Sequence, residues 1–139
     1  MLIPFSDIFK KYNMIINGIL HIGAHHCEEL NAYMSMGISK KNIIWIEGNL
    51  DIVKLMKKRD NQLTIINALI TDIDNKEYTF NITNNGQSSS IFEFGTHSVN
   101  HPEVKFIDRK KVLSKRIDTL YREENIPENF ANFLNIDIL

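Results

Sequence analysis

The stretch Ile19-Leu20-His21-Ile22-Gly23-Ala24-His25-His26-Cys27-Glu28-Glu29, followed by Ile43-Ile44-Trp45-Ile46-Glu47, decides how this chain is read. An apolar run breaks into a small-residue turn, a helical pattern follows, and a second apolar run ends on a carboxylate. That punctuation opens a nucleotide-binding α/β domain. A glycine turn at the end of the first strand lets backbone N–H groups approach a ligand without a Cβ in the way. A carboxylate ending the second strand can accept hydrogen bonds from both hydroxyls of a ribose. Glu47 lies 24 residues beyond Gly23, close to the roughly 20 of one such unit. The pattern points to an adenosine-containing ligand.

The same period continues on either side. Ile3, Phe5, Ile8, Phe9 and Tyr12 recur at helical spacing over residues 3–12, with Ser6 and Asp7 as N-cap chemistry. Asn17-Gly18 marks a turn before the first strand. Glu28 to Met36 reads as a helix with Leu30, Tyr33 and Met34 inward, closed by Gly37 at C′. Asp51 to Arg59 is a helix with Lys57, Lys58 and Arg59 in its last turn, where they complement the dipole. Leu63 to Ile70 is a third strand. The β-α-β-α-β order implies parallel strands with right-handed crossovers.

Beyond residue 70 the character changes. Tyr78 to Ile82 alternates as an antiparallel strand does, Asn84-Asn85-Gly86 is a turn signal, and the polar run Gln87-Ser88-Ser89-Ser90 follows. Short strands are expected near 104–107 and 112–117. A helix over Asp118–Glu124 with Asp118 as its cap comes next, and a last apolar strand over Phe130–Ile136 ends on Asp137. Arg109-Lys110-Lys111 reads as a solvated strand edge.

The bulk numbers bound the function. The length fits one domain, with residues 1–18 as an N-terminal helix and cap and 19–139 as the ligand-binding core. A net charge of −1 with 24% charged residues gives no footprint for nucleic acid or a membrane surface. The single cysteine, Cys27, excludes an internal disulfide and fits a reducing compartment. No apolar stretch nears the ~20 residues of a membrane span, and no basic-then-apolar leader opens the chain. The expectation is a soluble, cytoplasmic protein.

The turn discriminates among adenosine ligands. A dinucleotide fold needs G-x-G-x-x-G, its later glycines making room for a pyrophosphate. Here His25, His26 and Cys27 follow Gly23 and Ala24, so a pyrophosphate would meet side chains. A phosphate-cradling G-x-x-x-x-G-K-[ST] is absent as well. A nicotinamide oxidoreductase is therefore the weaker reading, and an adenosine ligand without phosphates, such as S-adenosylmethionine, is the stronger.

Several segments occur together in order: Leu20-His21-Ile22-Gly23-Ala24-His25, Ile44-Trp45-Ile46-Glu47, Asn67-Ala68-Leu69-Ile70-Thr71-Asp72, Gln87-Ser88-Ser89-Ser90-Ile91, Asp118-Thr119-Leu120 and Phe133-Leu134-Asn135-Ile136-Asp137. From about Gly18 to Asp137 the chain resembles the FkbM-type S-adenosylmethionine-dependent methyltransferases, in particular the branch with a histidine at the end of strand one. The resemblance implies a Rossmann-like class I methyltransferase sheet, parallel strands flanked by helices with an added antiparallel hairpin. It also implies O-methylation of a sugar or small hydroxylated metabolite. His21, Gly23, Ala24 and His25 would lie at the cofactor turn, Glu47 and Gly48 at the ribose, and Asn67, Ala68 and Asp72 beside the adenine. Ser88, Ser89, Ser90 and Asn135 would face the acceptor, and Asp137 would be the catalytic base or orienter. No metal is implied.

Two departures accompany it. Cys27 stands where relatives commonly carry glycine. The family continues after its aspartate with a Gln/Glu-Gly-Ala-Glu segment and further strands, whereas this chain reads Ile138-Leu139. The expected sheet lacks those later strands, leaving strand four (Phe130–Ile136) at an edge with unpaired backbone groups. That edge predicts a homodimer, strand exchange or a complementing chain. The alternative function is accordingly a non-catalytic S-adenosylmethionine-binding or assembly module.

The remaining candidates read blandly. His21 should point opposite to Leu20 and Ile22, and His25-His26 have no third ligand at i+4 spacing, so a polar pocket wall is favoured over a metal. His97 and His101 fall in a loop where helical facing is not assured. Cys27 is read as a small core filler despite a helix N-terminus nearby.

Overall fold

A computed structural model of the chain describes residues 3–83 and 106–138. The elements are α1 (Phe5–Lys11), β1 (Ile19–Ile22), α2 (Leu30–Ser35), β2 (Ile43–Glu47), α3 (Leu50–Arg59), β3 (Thr64–Asn67), β4 (Leu69–Ile70), β5 (Glu77–Thr83), β6 (Phe106–Lys115), α4 (Ile117–Glu123) and β7 (Phe133–Ile136). Four strands form a parallel sheet in the order β3-β2-β1-β7. The fold is α/β, a parallel sheet flanked by helices and compatible with a Rossmann-like architecture. Ser88, Ser89, Ser90, His97 and His101 lie outside the described residues.

Alternation along the strands divides the core in two. Ile19, Ile43, Trp45 and Ile65 face one side with Tyr33 of α2, Ile52, Val53 and Met56 of α3, and Phe5 and Phe9 of α1. Leu20, Ile22, Ile44 and Ile46 face the other, against Leu120, Ile117 and Tyr121 of α4. Every residue of β1 and β2 is buried, as their near-continuous apolar sequence requires of strands covered on both faces.

The close of α2 follows the expected chemistry. Gly37 has φ +88°, its N–H donates to the Met34 carbonyl, and the Ile38 N–H donates to Tyr33. This is the Schellman pair of bonds that satisfies the last helical carbonyls. By contrast α1 has Pro4 at its N-cap and no side-chain cap. Aromatic packing anchors it instead, Phe5 on Tyr33 and Phe9 on Phe133, each at a centroid distance of 5.1 Å.

Several expectations about the elements change: α2 begins at Leu30 rather than Glu28 and β7 at Phe133 rather than Phe130. The third strand is two: β3 stays in the parallel sheet, while β4 turns away at Ala68 and pairs with the end of β6. The two short strands expected beyond residue 103 are one, β6, antiparallel to β5 and lying between β4 and β5. Lys110 and Lys111 lie on β6 where it pairs with β5, ahead of its pairing with β4, and ion-pair with Asp51 at 2.8 Å and Glu77 at 3.6 Å, Lys111 being exposed as a solvated strand edge requires. Helix α4 begins one residue earlier than expected, after Arg116, and Asp118 is not its cap. Asp74 takes that role across 42 residues, accepting from the Arg116 N–H at 2.9 Å and the Thr119 hydroxyl at 2.8 Å.

Strand β7 borders the parallel sheet, and its burial alternates. Leu134 and Ile136 are 54% and 56% exposed. Among the described residues, no helix is long and apolar enough to cross a membrane.

Candidate functional site

Parallel sheets bind ligands outside the carboxyl ends of their strands, where the strand order reverses. Here the chain winds outward from β1 to β2 to β3, then returns to place β7 on the other side of β1. The reversal lies between β1 and β7. Gly23, Glu47, Asn67 and Asp137 end or immediately follow the four strands, so the sheet gathers these candidates at one rim.

At the turn after β1, the backbone donors are already engaged. Gly23 and Ala24 N–H both donate to the Ile46 carbonyl, at 2.8 and 3.0 Å. The His25 N–H donates to Glu47 Oε2 at 2.7 Å. The expected open cradle of amides is thus closed on β2. Gly23 has φ +88°, and a Cβ there would stand 1.9 Å from the Asp137 carbonyl oxygen. Close approach of the chain after β7 is what demands glycine at this position.

Glu47 is buried at 8% exposure. Its second oxygen, Oε1, accepts from the Asn49 N–H at 2.9 Å. A carboxylate offers about four acceptor sites, so each oxygen keeps a lone pair for a ligand hydroxyl. Asn67 Nδ2 donates to the Glu47 and Gly48 carbonyls at 3.0 and 3.1 Å, and the Ala68 N–H donates to the Glu47 carbonyl. Asn67 and Ala68 therefore shape the rim beside Glu47, whereas Asp72 is exposed beyond it.

Between β1 and β7 a polar network replaces apolar packing. His21 is fully buried and in register with Trp45 on one side and Asn135 on the other. It faces the α2 side, opposite Leu20 and Ile22. Asn135 Nδ2 donates to Tyr33 Oη at 2.9 Å, and that hydroxyl lies 2.8 Å from His21 Nδ1. With the Tyr33 O–H donating to Nδ1, every proton in the chain of bonds has an acceptor, and His21 carries its own on Nε2.

Burial pushes the His21 pKa down to about 4, against the opposing pull of Asp137, Glu28 and the Gly23 backbone. The ring is neutral near pH 7. Burial likewise lifts Tyr33 to about 12, so its hydroxyl keeps its proton. Glu29 is raised by burial and by the charges of Glu28 and Asp137.

Three atoms here remain without partners. His21 Nε2, Glu29 Oε2 and Trp45 Nε1 are buried with no hydrogen-bond partner among the described residues, and His21 Nε2 stands 3.8 Å from Glu29 Oε2. Buried polar atoms left unpaired are costly and rare. Asp137 lies at the network's exposed end, its N–H bonded to the Ile22 carbonyl at 2.8 Å.

Sequence reading missed Tyr33 and Glu29 as members of this network. Tyr33 carried the usable signal, because a tyrosine on the inner face of a helix must find a partner for its hydroxyl. Cys27 is buried in the α2-side core, and burial, reinforced by Glu28, Glu29 and nearby carboxylates, raises its thiol to about 12. The helix N-terminus does not prevail there.

A separate open depression lined by Ile117, Asp118, Tyr121, Arg122, Ile126 and Glu128 contains none of these residues. No family model, curated protein or solved structure matches the chain.

Proposed function

We propose that the rim between β1, β2 and β7 binds S-adenosylmethionine and that the protein is a methyltransferase of FkbM type. Its acceptor is a sugar or small hydroxylated metabolite. The observation that carries this reading is the coincidence of the strand-order reversal with buried polar atoms at His21 and Glu29 that have no partner among the described residues. The carboxylates of Glu29 and Asp137 favour a ligand with positive charge and no phosphates, which disfavours a nicotinamide dinucleotide. Glu47 retains acceptor capacity for two ribose hydroxyls. The resemblance of the ordered segments to the FkbM family adds support.

The bound donor would supply an activated methyl group on a sulfonium. The chain's own contribution is alignment and proton removal. His21, held neutral and hydrogen-bonded to Tyr33, would hold the ligand tail through Nε2. Asp137, exposed at the end of β7, takes the acceptor hydroxyl proton or orients that hydroxyl for attack. Asn135 positions Tyr33. The buried lone cysteine fits a reducing, cytoplasmic setting.

Calorimetry with S-adenosylhomocysteine beside NAD tests the ligand. Selective binding of the former, lost in Glu47→Ala, is expected; no affinity for either sinks the reading. A radiolabelled methyl assay then tests Asp137, and an Asp137→Ala protein at full rate removes its role.

A second reading, an assembly module that binds the ligand without catalysis, is favoured by β7. An edge strand with Leu134 and Ile136 more than half exposed invites pairing. Self-association or capture of a complementing chain is its expected behaviour, and a strictly monomeric species in light scattering at high concentration argues against it.

A further inference from the structure

The segment following β1 also holds a chemistry that owes nothing to an adenosine ligand. His25 and Cys27 adopt φ values of +49° and +54°, a left-handed conformation that non-glycine residues rarely hold. The consequence is that two adjacent histidines, which would diverge on a helix or strand, face each other. His25 Nδ1 lies 3.1 Å from His26 Nδ1 and 2.5 Å from Glu28 Oε1, and the His26 nitrogen is 4.0 Å from the same oxygen. All three ligand atoms lie within 4.8 Å of one another.

Protons serve this arrangement poorly. His25 Nδ1 carries one proton or one lone pair, yet it faces both a carboxylate oxygen and a second ring nitrogen. A single N–H would have to be split between them. A cation accepts all three lone pairs at once. We propose that His25 Nδ1, His26 Nδ1 and Glu28 Oε1 form a binding site for one divalent transition-metal ion of the zinc type.

Bonds of about 2.05 Å in a tetrahedron set ligand atoms about 3.3 Å apart, and the three separations of 2.5, 3.1 and 4.0 Å straddle that value. Two imidazoles and one carboxylate suit zinc, cobalt or nickel, whereas magnesium and calcium favour oxygen-only sets. Three protein ligands on a partly exposed rim leave a further position for water or another small ligand. Among the described residues the set is these three, and Cys27 is buried in the core. Behind the site, His25 Nε2 has no hydrogen-bond partner among the described residues. Lack of such outer support costs roughly 10- to 100-fold in affinity, so binding weaker than at a fully supported zinc site is expected.

The test uses the whole chain without any nucleoside present. Zn2+ is titrated by calorimetry, and Co2+ by visible absorption, which reports nitrogen ligation directly. One equivalent bound is expected, weakened about tenfold or more by His26→Ala and by Glu28→Gln. Both side chains are partly exposed, and circular dichroism checks that each variant keeps its fold. Absence of Zn2+ binding overturns the proposal, as does Zn2+ binding that neither substitution weakens. Because no nucleoside enters the experiment, its outcome is independent of the methyl-donor reading.

Discussion

Glu47 Oε2 accepts a 2.7 Å hydrogen bond from the backbone N–H of His25, so the side chain that ends β2 locks the turn that ends β1. Its other oxygen caps the turn into α3 through Asn49. Glu47 thus holds two loops of the rim together.

Replacing that carboxylate by an amide turns one acceptor into a donor aimed at an N–H. Glu47→Gln should lower stability by about 2 kcal/mol, the scale of a lost hydrogen bond to a buried charged group. Urea unfolding measures this, and an unchanged midpoint would show that the two turns do not depend on Glu47.

Gly23→Ala meets both a left-handed φ and the Asp137 carbonyl, 1.9 Å from the new Cβ. The chain after β7 must move or the turn must refold, at an expected cost of about 3 kcal/mol or more. Thermal unfolding reads it directly; a variant as stable as the parent would mean that this close approach is absent in solution.

His21 makes stability depend on pH. Its folded pKa, about 4, lies below the 6.5 of the free side chain. Between those values the unfolded chain binds a proton that the folded protein refuses. The neutral ring's contribution is therefore complete above pH 6.5 and is lost as pH falls toward 4, by about 3 kcal/mol in total. Denaturant midpoints across that window should decline in the parent and decline less in His21→Gln. Parallel profiles for the two proteins would assign the loss to other groups.

Cys27, pushed up to about 12 by burial and then by Glu28 and Glu29, should be inert as a thiol. At pH 8 an aromatic disulfide reagent should label the native protein roughly a hundredfold or more slowly than the unfolded chain. Equal rates would place the sulfur in solvent.

The two-sided apolar strands, the inward placing of Tyr33, Ile52, Val53 and Met56 on α2 and α3, and the Gly37 closure were readable from local order, because each depends on periodicity or on one residue's backbone freedom; Met34 and Leu55, expected inward, are exposed. The candidates at the strand ends were readable for the same reason: a strand's last residue is marked by the end of its apolar run. His21 was also placed correctly on the face opposite Leu20 and Ile22, since alternation alone dictates it.

Contacts between distant parts of the chain had no such signature. Nothing near Arg116 announces that Asp74 caps α4, and nothing in Leu63–Ile70 tells that the strand changes partners at Ala68. The pairing of His21 with Asn135 through Tyr33 needs three elements brought together by the sheet. The convergence of His25 and His26 on Glu28 needs two left-handed residues that only the packed turn sustains. Periodicity is a property of neighbours along the chain, and so it can be read there. Which donor meets which acceptor across the rim is settled by the sheet's order and register, which exist only once the chain has folded.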